Sequence, residues 1–386
     1  MLHSISRIRN RVRGHGIFSI FRLLKWRFLT RYRTIIVEDH DLSLAILANN
    51  QVSPSKVLHT KLHLSHTSNF AETKTISSDY RQKEVLYLKD VTVWARFGIA
   101  ADTGFRIIAE TAFCESRLLE LNGSKQLRNF PIIKLNTPFA VFGQGWENYY
   151  HWLIDDMSSL PWLKDELDRI DGPVTLVVAG NLNSEQFEIL SRAVSSNVVV
   201  LRIDPDTRIT GPLYVSVPSA ANSEMAYLPP KVIANIVKIL IPEEITSKEE
   251  LDSPPRLYIS RQNAEKRRVI NEDELIQNIS RFGFKTVHLE DMTVVAQARL
   301  FAGAKMIIGQ HGAGFSNLIF SDGRCKVLEI HSHLEHHHYR WLAKSKDIGY
   351  SSILVNNESY NSDIVVPIDQ VCKWIKSCNE FYELEQ

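Results

Sequence analysis

The chain has 386 residues, with 45 Lys and Arg against 44 Asp and Glu, and its formal net charge is +1. This length allows two domains, and the hydrophobic fraction of 44% with 23% charged residues excludes a disordered or fibrous chain. Near balance of charge argues against a nucleic-acid-binding protein, which usually has a basic excess. The four cysteines are scattered without a C-x-x-C pair, which argues against a disulfide scaffold or thiolate zinc site and favours a reducing, cytoplasmic compartment.

The N-terminal segment 1–37 is strongly basic, with nine Lys or Arg and no acidic residue, so the remaining chain has 36 basic against 44 acidic residues. Apolar residues recur in it at helical spacing: Ile17, Ile20, Phe21, Leu24 and Phe28. This pattern favours an amphipathic helix, and residues 1–33 would suit an anionic membrane at the inner face of the plasma membrane. A basic first helix packed on the body, or a disordered arm, is the alternative. We expect neither a signal peptide nor a membrane span, because charges interrupt every long apolar run.

The first half of the chain after this segment has a mixed pattern. Apolar runs at 84–88 and 91–95 predict two short strands separated by a polar turn. Further along, the pattern predicts these elements: strand 138–143, helix 147–166, strand 173–179, helix 184–193 and strand 197–201. The continuous apolar run 173–179 is typical of a parallel strand that is covered on both faces.

The second half alternates regularly between strands and helices. The predicted strands are 256–260, 285–289, 305–309 and 326–330, and the predicted helices are 272–282, 293–302 and 313–320. Such alternation with short connections predicts an α/β fold with a doubly wound parallel sheet. Segment 241–255 has three prolines and is the best linker candidate, and a final helix is predicted near 367–384. Ligands should bind beyond the carboxyl ends of the strands, in a cleft between two α/β halves.

The clearest motif lies after the predicted strand 305–309, where His311-Gly312-Ala313-Gly314 leads into a helix that contains Asn317. Gly312 and Gly314 lack a Cβ where a ligand must approach, and amides at a helix start favour an anion. His311 can donate to a phosphate oxygen. The spacing fits neither the dinucleotide fingerprint nor the P-loop. A plain strand-to-helix turn is the alternative.

Two further strand ends carry charge. Strand 256–260 is followed by Arg261, Lys266, Arg267 and Arg268, which predict a diphosphate clamp because guanidinium forks meet two phosphate oxygens at once. A solvated charged loop is the alternative. Glu329 ends the apolar strand 326–330, where a carboxylate can accept both ribose hydroxyls of a nucleotide. Its alternative is a strand-end charge that points at solvent.

A His–carboxylate pair is predicted in the first half, where helical spacing places His151 and Asp155 on one face with Asn148. The pair is a candidate for acid–base catalysis, and the surrounding Trp and Tyr residues suit sugar stacking. The alternative is a surface ion pair beside core aromatics. The run His331–His338 contains five other histidines, yet their spacing matches no firm metal-ligand pattern, so we expect no metal site.

Together these residues resemble the family 61 glycosyltransferases, which include plant xylan-modifying enzymes and animal O-GlcNAc transferases. The resemblance covers about 138–332 and lies in these motifs: Tyr150-His151-Trp152-x-x-Asp155, Ile259-Ser260-Arg261, Arg267-Arg268-x-x-Asn271-Glu272, and Gly309-Gln310-His311-Gly312-Ala313-Gly314-Phe315-x-Asn317 leading to Glu329. It implies a GT-B-like fold, with two Rossmann-like α/β domains facing across a cleft. It also implies a nucleotide-sugar donor, commonly a UDP-sugar, and an inverting reaction with no cofactor and no essential metal.

By the same resemblance, residues 38–250 would form the acceptor-side domain, residues 251–365 the nucleotide-sugar-binding domain, and residues 366–386 a helix that returns to the first. The candidate base is Asp155, or His151 oriented by Asp155. The candidate donor-binding residues are Arg261, Arg267, Arg268, His311, Gly312, Ala313, Gly314, Asn317 and Glu329.

The expected function is therefore that of a hexosyl- or pentosyltransferase in surface polysaccharide biosynthesis, with a glycan or lipid-linked acceptor. It would be cytoplasmic, with residues 1–33 as its membrane contact and no nucleic-acid partner. Two other classes stay open. A non-catalytic nucleotide- or glycan-binding protein would need no acid–base pair, and a metal-dependent hydrolase would use the cluster His331–His338.

Overall fold

The computed structural model describes residues 85–102, 108, 111, 129–143, 148–180, 182–216, 228–241, 256–355, 359 and 361–384. The basic segment 1–37 and nearly all of the predicted linker 241–255 lie outside the described residues. Contacts divide the chain into two units, the first made of Met1–Glu147, Ser159–Asn183 and Leu190–Ala221, and the second of Asn148–Ser158, Ser184–Ile189 and Asn222–Gln386. None of the helices in the described ranges is both long and apolar enough to cross a membrane.

The elements before residue 222 alternate less regularly than those after it. In chain order they are β1 (Val85–Trp94), β2 (Ile99–Ala101), β3 (Ile132–Lys134), β4 (Phe139–Phe142), a π-helix (His151–Asp156), α1 (Leu160–Leu167), β5 (Val174–Ala179), α2 (Ser184–Ala193), β6 (Val198–Ile203) and β7 (Arg208–Ser216). Among the described residues, these strands form one sheet in the order β2-β1-β7-β4-β5-β6, with β3 also paired to β7. The neighbours β7 and β4, β4 and β5, and β5 and β6 run parallel, whereas β1 runs antiparallel to both β2 and β7.

The two short strands predicted at 84–88 and 91–95 are one strand, β1, so the predicted turn between them is wrong. Both parts pair with β7, with Leu88 opposite Leu213 and Val91 opposite Gly211, and the register shifts between them. Two residues of β1 therefore face the single residue Pro212, which has no N–H to donate to the ladder. A β-bulge accommodates the polar pair Lys89-Asp90 without a turn.

The single helix predicted at 147–166 is also wrong, because it is divided into the π-helix and α1. Met157 N–H donates to the Trp152 carbonyl at 3.0 Å, the i to i+5 spacing that defines a π-helix. Pro161 stands at the start of α1, where its missing N–H is tolerated, whereas inside a continuous helix it would remove a hydrogen bond. Pro161 therefore separates the two segments.

The second unit is regular after residue 228. Its further elements are α3 (Pro230–Leu240), β8 (Arg256–Ile259), α4 (Glu272–Ser280), β9 (Lys285–Val287), a 3₁₀-helix (Leu289–Asp291), α5 (Val294–Gly303), β10 (Met306–Gln310), a longer 3₁₀-helix (Ala313–Phe320), β11 (Lys326–His331), α6 (His338–Ser345), β12 (Gly349–Leu354) and α7 (Ile368–Leu384). Every strand pair in its sheet is parallel, in the order β12-β11-β10-β8-β9. The structure thus has two α/β units with separate sheets. This confirms the predicted GT-B-like α/β fold class.

The core of the second unit joins the sheet to its last helix. Ile308 and Leu328 of the central strands pack with Leu275 of α4 and with Val371 and Ile375 of α7, all of them buried. The C-terminal helix thus contributes to the second unit. The sequence also predicts that this helix returns to the first domain and where the domain boundaries lie. Both stay predictions.

Candidate functional site

The strand order of the second unit identifies where a ligand should bind. Numbered along the chain, its strands are arranged 2-1-3-4-5, so the order reverses between β8 and β10. In doubly wound sheets the ligand crevice lies at this switch point, beyond the carboxyl ends of the two strands. The segments that leave these two ends are the arginine loop beginning at Arg261 and the turn His311-Gly312.

Arg261 and Gly312 contact each other at this switch point. The Arg261 Nε donates to the Arg267 carbonyl at 3.0 Å, and its Nη2 donates to the Lys266 carbonyl at 3.0 Å. A Cβ on Gly312 would lie 2.2 Å from the Arg261 Nη1, a distance that no real contact permits. The backbone of Gly312 is extended, so its conformation does not require glycine, and a side chain at this position would displace the guanidinium from the turn. The guanidinium therefore lies directly on the turn.

Arg267 reaches the same turn, whereas Arg268 is held elsewhere. The Arg267 Nη1 donates to the His311 carbonyl at 3.2 Å, from a backbone with a φ of 59° that is uncommon for a residue with a side chain. Arg268 binds Asp363 through its backbone N–H, its Nε and its Nη2, at 2.8, 3.0 and 2.8 Å. Two of the three predicted arginines thus meet at the His311 turn.

Gly314 has a different environment from Gly312. A Cβ on Gly314 would meet the Leu289 Cδ1 at 2.8 Å, so apolar packing already fills the space that the sequence suggests for a ligand. Half-buried Ala313 begins the 3₁₀-helix that follows the turn. Helical geometry leaves the first amides of such a segment without an intrahelical acceptor. The Phe315 N–H donates to the Gly312 carbonyl at 3.1 Å.

Glu329 is fully buried behind His311, so the alternative of a solvent-facing strand-end charge is wrong. Its Oε1 is hydrogen-bonded to His311 Nδ1, and its Oε2 accepts the hydroxyl of Tyr350 at 2.6 Å. Burial is the largest influence on this carboxyl and raises its pKa to about 7. The predicted contact between Glu329 and a ribose stays a prediction.

Burial also keeps His311 neutral. It is the largest of the influences that lower the pKa of His311 to about 3, followed by the charges of Arg267, His338 and Arg261. A neutral imidazole donates from one ring nitrogen and accepts at the other. Which nitrogen of His311 donates is therefore set by the proton on Glu329.

His151 and Asp155 pair within the π-helix, with 2.6 Å between His151 Nδ1 and Asp155 Oδ2. Their side chains are 23% and 14% exposed, so solvent and small molecules can reach both. An ionised Asp155 accepts the Nδ1 proton and leaves the Nε2 lone pair of His151 as a base, as in hydrolytic triads. Although these residues precede the predicted linker, they belong to the second unit together with His311.

Asn317 lies in the interior and joins the segment that carries the pair to the long 3₁₀-helix. Its Oδ1 accepts the Tyr149 hydroxyl at 2.8 Å, and its Nδ2 donates to Gln297 Oε1 at 2.7 Å and to the Gly314 carbonyl at 3.1 Å. Burial raises the pKa of Tyr149, so its hydroxyl stays protonated as the donor. Tyr149 and Gln297 were not singled out from the sequence, because a tyrosine among aromatics indicates only stacking or core packing.

A series of packed rings connects His151 with His311. The ring-centroid distances along it are 5.4 Å for His151–Tyr150, 5.8 Å for Tyr150–Tyr339 and 5.3 Å for Tyr339–His311. Tyr150 also lies 5.5 Å from His338. The structure thus places the candidate acid–base pair and the candidate anion site in one continuous region of the second unit.

The histidines of His331–His338 separate into different environments. His331 is buried, with its Nε2 3.7 Å from Glu329 Oε2, while His336 stacks on His311 and His333 is exposed. Ligand atoms of His311, Glu329 and His331 lie within 4.8 Å of one another, close enough to surround a cation. Both oxygens of Glu329 already have hydrogen-bond partners, so a cation there would have to displace His311 and Tyr350.

Comparison with known proteins matches part of the chain to one family. The profile of the family described as Glycosyltransferase 61 matches residues 149–328, which include the His151 pair, the arginine loop and the His311 turn. One curated relative, the mouse (Mus musculus) EGF domain-specific O-linked N-acetylglucosamine transferase, is 28% identical over 111 residues. That match covers 28% of this chain and 21% of the relative, so the chain spans about a fifth of that protein's length.

Among solved structures, the chain matches the Escherichia coli heptosyltransferase WaaC with ADP at 10% identity and a TM-score of 0.36, covering 64% of this chain and 98% of that one. A glycosyl transferase of family 9 from Veillonella parvula is 10% identical with a TM-score of 0.33, covering 64% of this chain and 97% of the other.

Proposed function

The chain carries a family 61 glycosyltransferase domain, and on that premise we propose that it transfers a sugar from a nucleotide sugar to a hydroxyl group with inversion at the anomeric carbon. The observation that carries the proposal is the placement of a His–Asp pair and a turn contacted by two arginines in one unit. A UDP-sugar is the proposed donor, and a glycan or lipid-linked saccharide is the proposed acceptor.

The donor diphosphate is proposed to bind at the switch point, against Arg261, Arg267 and the amides that begin the 3₁₀-helix. As the bond between the anomeric carbon and the diphosphate oxygen breaks, negative charge grows on that oxygen. Fixed guanidinium and amide groups stabilise this charge without reorganising at the moment of reaction. His311 would donate from Nε2 whenever Glu329 holds a proton that it donates to Nδ1.

The acceptor hydroxyl is proposed to lose its proton to His151 Nε2 while its oxygen attacks the anomeric carbon from the side opposite the leaving group. Asp155 would hold Nδ1–H in place and stabilise the imidazolium that forms. One bond forms between the acceptor oxygen and the anomeric carbon, and one breaks to release the nucleoside diphosphate. This geometry favours His151 as the base, with Asp155 as its positioning residue.

The test is incubation of the purified chain with a panel of nucleotide sugars and saccharide acceptors, with the linkage of the product determined by NMR. A product with inverted anomeric configuration is expected. Binding of a nucleotide sugar with neither transfer nor hydrolysis would instead favour the non-catalytic alternative. Since Arg261 and Arg267 supply positive charge at the diphosphate, we expect activity to survive dialysis against EDTA, and loss of activity that zinc restores would favour the metal-dependent alternative.

The acceptor and the cellular location are also part of the proposal. A basic, aromatic-rich segment 1–33 would bring the enzyme to an anionic membrane surface, where lipid-linked precursors of surface polysaccharides are found. Deleting residues 1–33 should abolish co-sedimentation with anionic vesicles and leave UDP affinity unchanged. Equal co-sedimentation of the full and shortened chains would contradict the membrane role.

A further inference from the structure

His336 lies against the His311 ring, in a part of the chain that no motif assigns to the donor. We propose that His336 is a further donor-binding residue that contacts the diphosphate at the His311 turn. This inference rests on the proposed function and adds one residue of the histidine-rich run to its anion site.

The position of His336 is defined by ring stacking. Its imidazole lies 5.0 Å from that of His311 with an angle of 23° between the planes, and 6.1 Å from that of His338 with an angle of 30°. His336 is half-buried, whereas His333, three residues earlier in the same run, is exposed. Because His331 also stacks on His311, at a centroid distance of 5.3 Å, four imidazoles form a series of stacked rings at the turn.

Two guanidinium groups contact the same turn. Arg267 donates to the His311 carbonyl at 3.2 Å, and Arg261 lies against Gly312. Burial is the largest of the influences that lower the pKa of His336 to about 4, followed by the charges of His311, His338 and Arg267. His336 is consequently neutral at pH 7 in the free protein and has an N–H to donate.

Two carboxylates near this group are held by other side chains. Glu329 is engaged by His311 and Tyr350, and Glu335 accepts the Ser352 hydroxyl at 2.7 Å. A metal cation approaching His336 would be repelled by Arg261 and Arg267, whereas a diphosphate would be attracted by both and could accept the N–H of a neutral His336. The chemistry therefore favours a multiply charged anion over a metal.

Calorimetric titration of the full chain with UDP, uridine and inorganic pyrophosphate tests this assignment. His336→Phe retains a stacking ring but removes both nitrogens, and His333→Phe is the matched control at an exposed position. Because a hydrogen bond to a charged group is lost, we expect His336→Phe to weaken UDP and pyrophosphate about tenfold or more and to leave uridine unchanged. His333→Phe should bind all three as the unaltered chain does.

The outcomes separate the inference from the function on which it rests. If the unaltered chain binds neither UDP nor pyrophosphate, the proposed donor site itself is wrong. If it binds them and His336→Phe binds them equally well, with an unchanged melting temperature, the assignment of His336 is wrong. His336→Gln retains an N–H donor and should recover most of the affinity, and failure to do so in a folded variant would mean that His336 acts only by packing.

Discussion

Two of the histidine–carboxylate pairs in the second unit share their chemistry and differ in their environment. His151 and Asp155 are 23% and 14% exposed and are four residues apart in one π-helix. His311 and Glu329 are 10% and 0% exposed and come from the ends of two neighbouring strands. Solvent reaches both members of the first pair, whereas in the second pair it reaches only His311.

Burial and a second hydrogen-bond partner account for the difference. Glu329 also accepts from Tyr350, and burial raises its pKa to about 7, so this carboxyl changes its charge near neutral pH. The same residue types can therefore serve as a base in one place and orient a neighbouring ring in another. Sequence spacing predicts the pair His151–Asp155, whereas the pairing of His311 with Glu329 and its burial appear only in the structure.

The largest expected effect comes from breaking the exposed pair. Asp155→Asn removes the charge that orients and stabilises His151, so we expect kcat to fall by roughly 10²- to 10⁴-fold. UDP affinity should stay within about twofold, because the change removes no donor contact. Asp156→Asn, one residue further along the same helix, is the matched control, and steady-state kinetics with calorimetry measure both variants. A fully active Asp155→Asn enzyme would remove Asp155 from the mechanism.

A second prediction concerns the arginines beside the buried pair. Arg261→Ala should weaken UDP binding about 10- to 100-fold, since it removes a charge-assisted contact to the diphosphate. Arg268→Ala should have a much smaller effect on UDP, because its guanidinium binds Asp363. Titration calorimetry of the two variants measures this contrast, and equal losses in both would mean that the donor lies elsewhere on the loop.

Glu329→Gln tests the pH dependence of the buried pair. Protonated Glu329 donates to His311 Nδ1 and leaves Nε2–H for the ligand, whereas ionised Glu329 accepts a hydrogen bond from Nδ1–H and leaves Nε2 as an acceptor. UDP affinity should therefore fall as the pH rises through about 7. Glutamine can donate to Nδ1 at every pH, so this decline should be lost. UDP itself also titrates in this range, and the ratio of the wild-type to the variant UDP affinity at each pH cancels that contribution. A ratio that stays constant from pH 6 to 8.5 would refute this mechanism.

The smallest expected effect concerns the connection between the two pairs. Tyr149→Phe leaves the buried Asn317 Oδ1 without its donor, so we expect the free energy of unfolding to fall by about 1 kcal/mol. Tyr87→Phe in the first unit is a control, and urea denaturation measures both. If Tyr149→Phe lowers kcat by a larger factor than it lowers UDP affinity, Tyr149 also positions the His151 segment. An unchanged free energy of unfolding would contradict the stabilising role of Tyr149.

Much of the second unit could be predicted from its sequence because its α/β pattern is local and regular. Parallel strands direct all their carboxyl ends to one edge, so the pattern alone places Arg261 and His311 side by side. In the first unit the pattern was interrupted by residues whose effects depend on their partners. Pro212 opposite β1 and Pro161 after the π-helix changed one predicted turn and one predicted helix.

The sequence by itself determined the strand and helix periods of the second unit, the spacing of His151 and Asp155, and the need for small residues after β10, because these depend on neighbours a few positions apart. Only the tertiary structure decided that Arg261 fills the space above Gly312 while Leu289 fills that above Gly314. It also decided that Arg268 binds Asp363, that Glu329 is enclosed by His311 and Tyr350, and that His336 joins the turn. These partners are distant in sequence, and their burial and hydrogen bonds arise only when the sheet and its helices pack together.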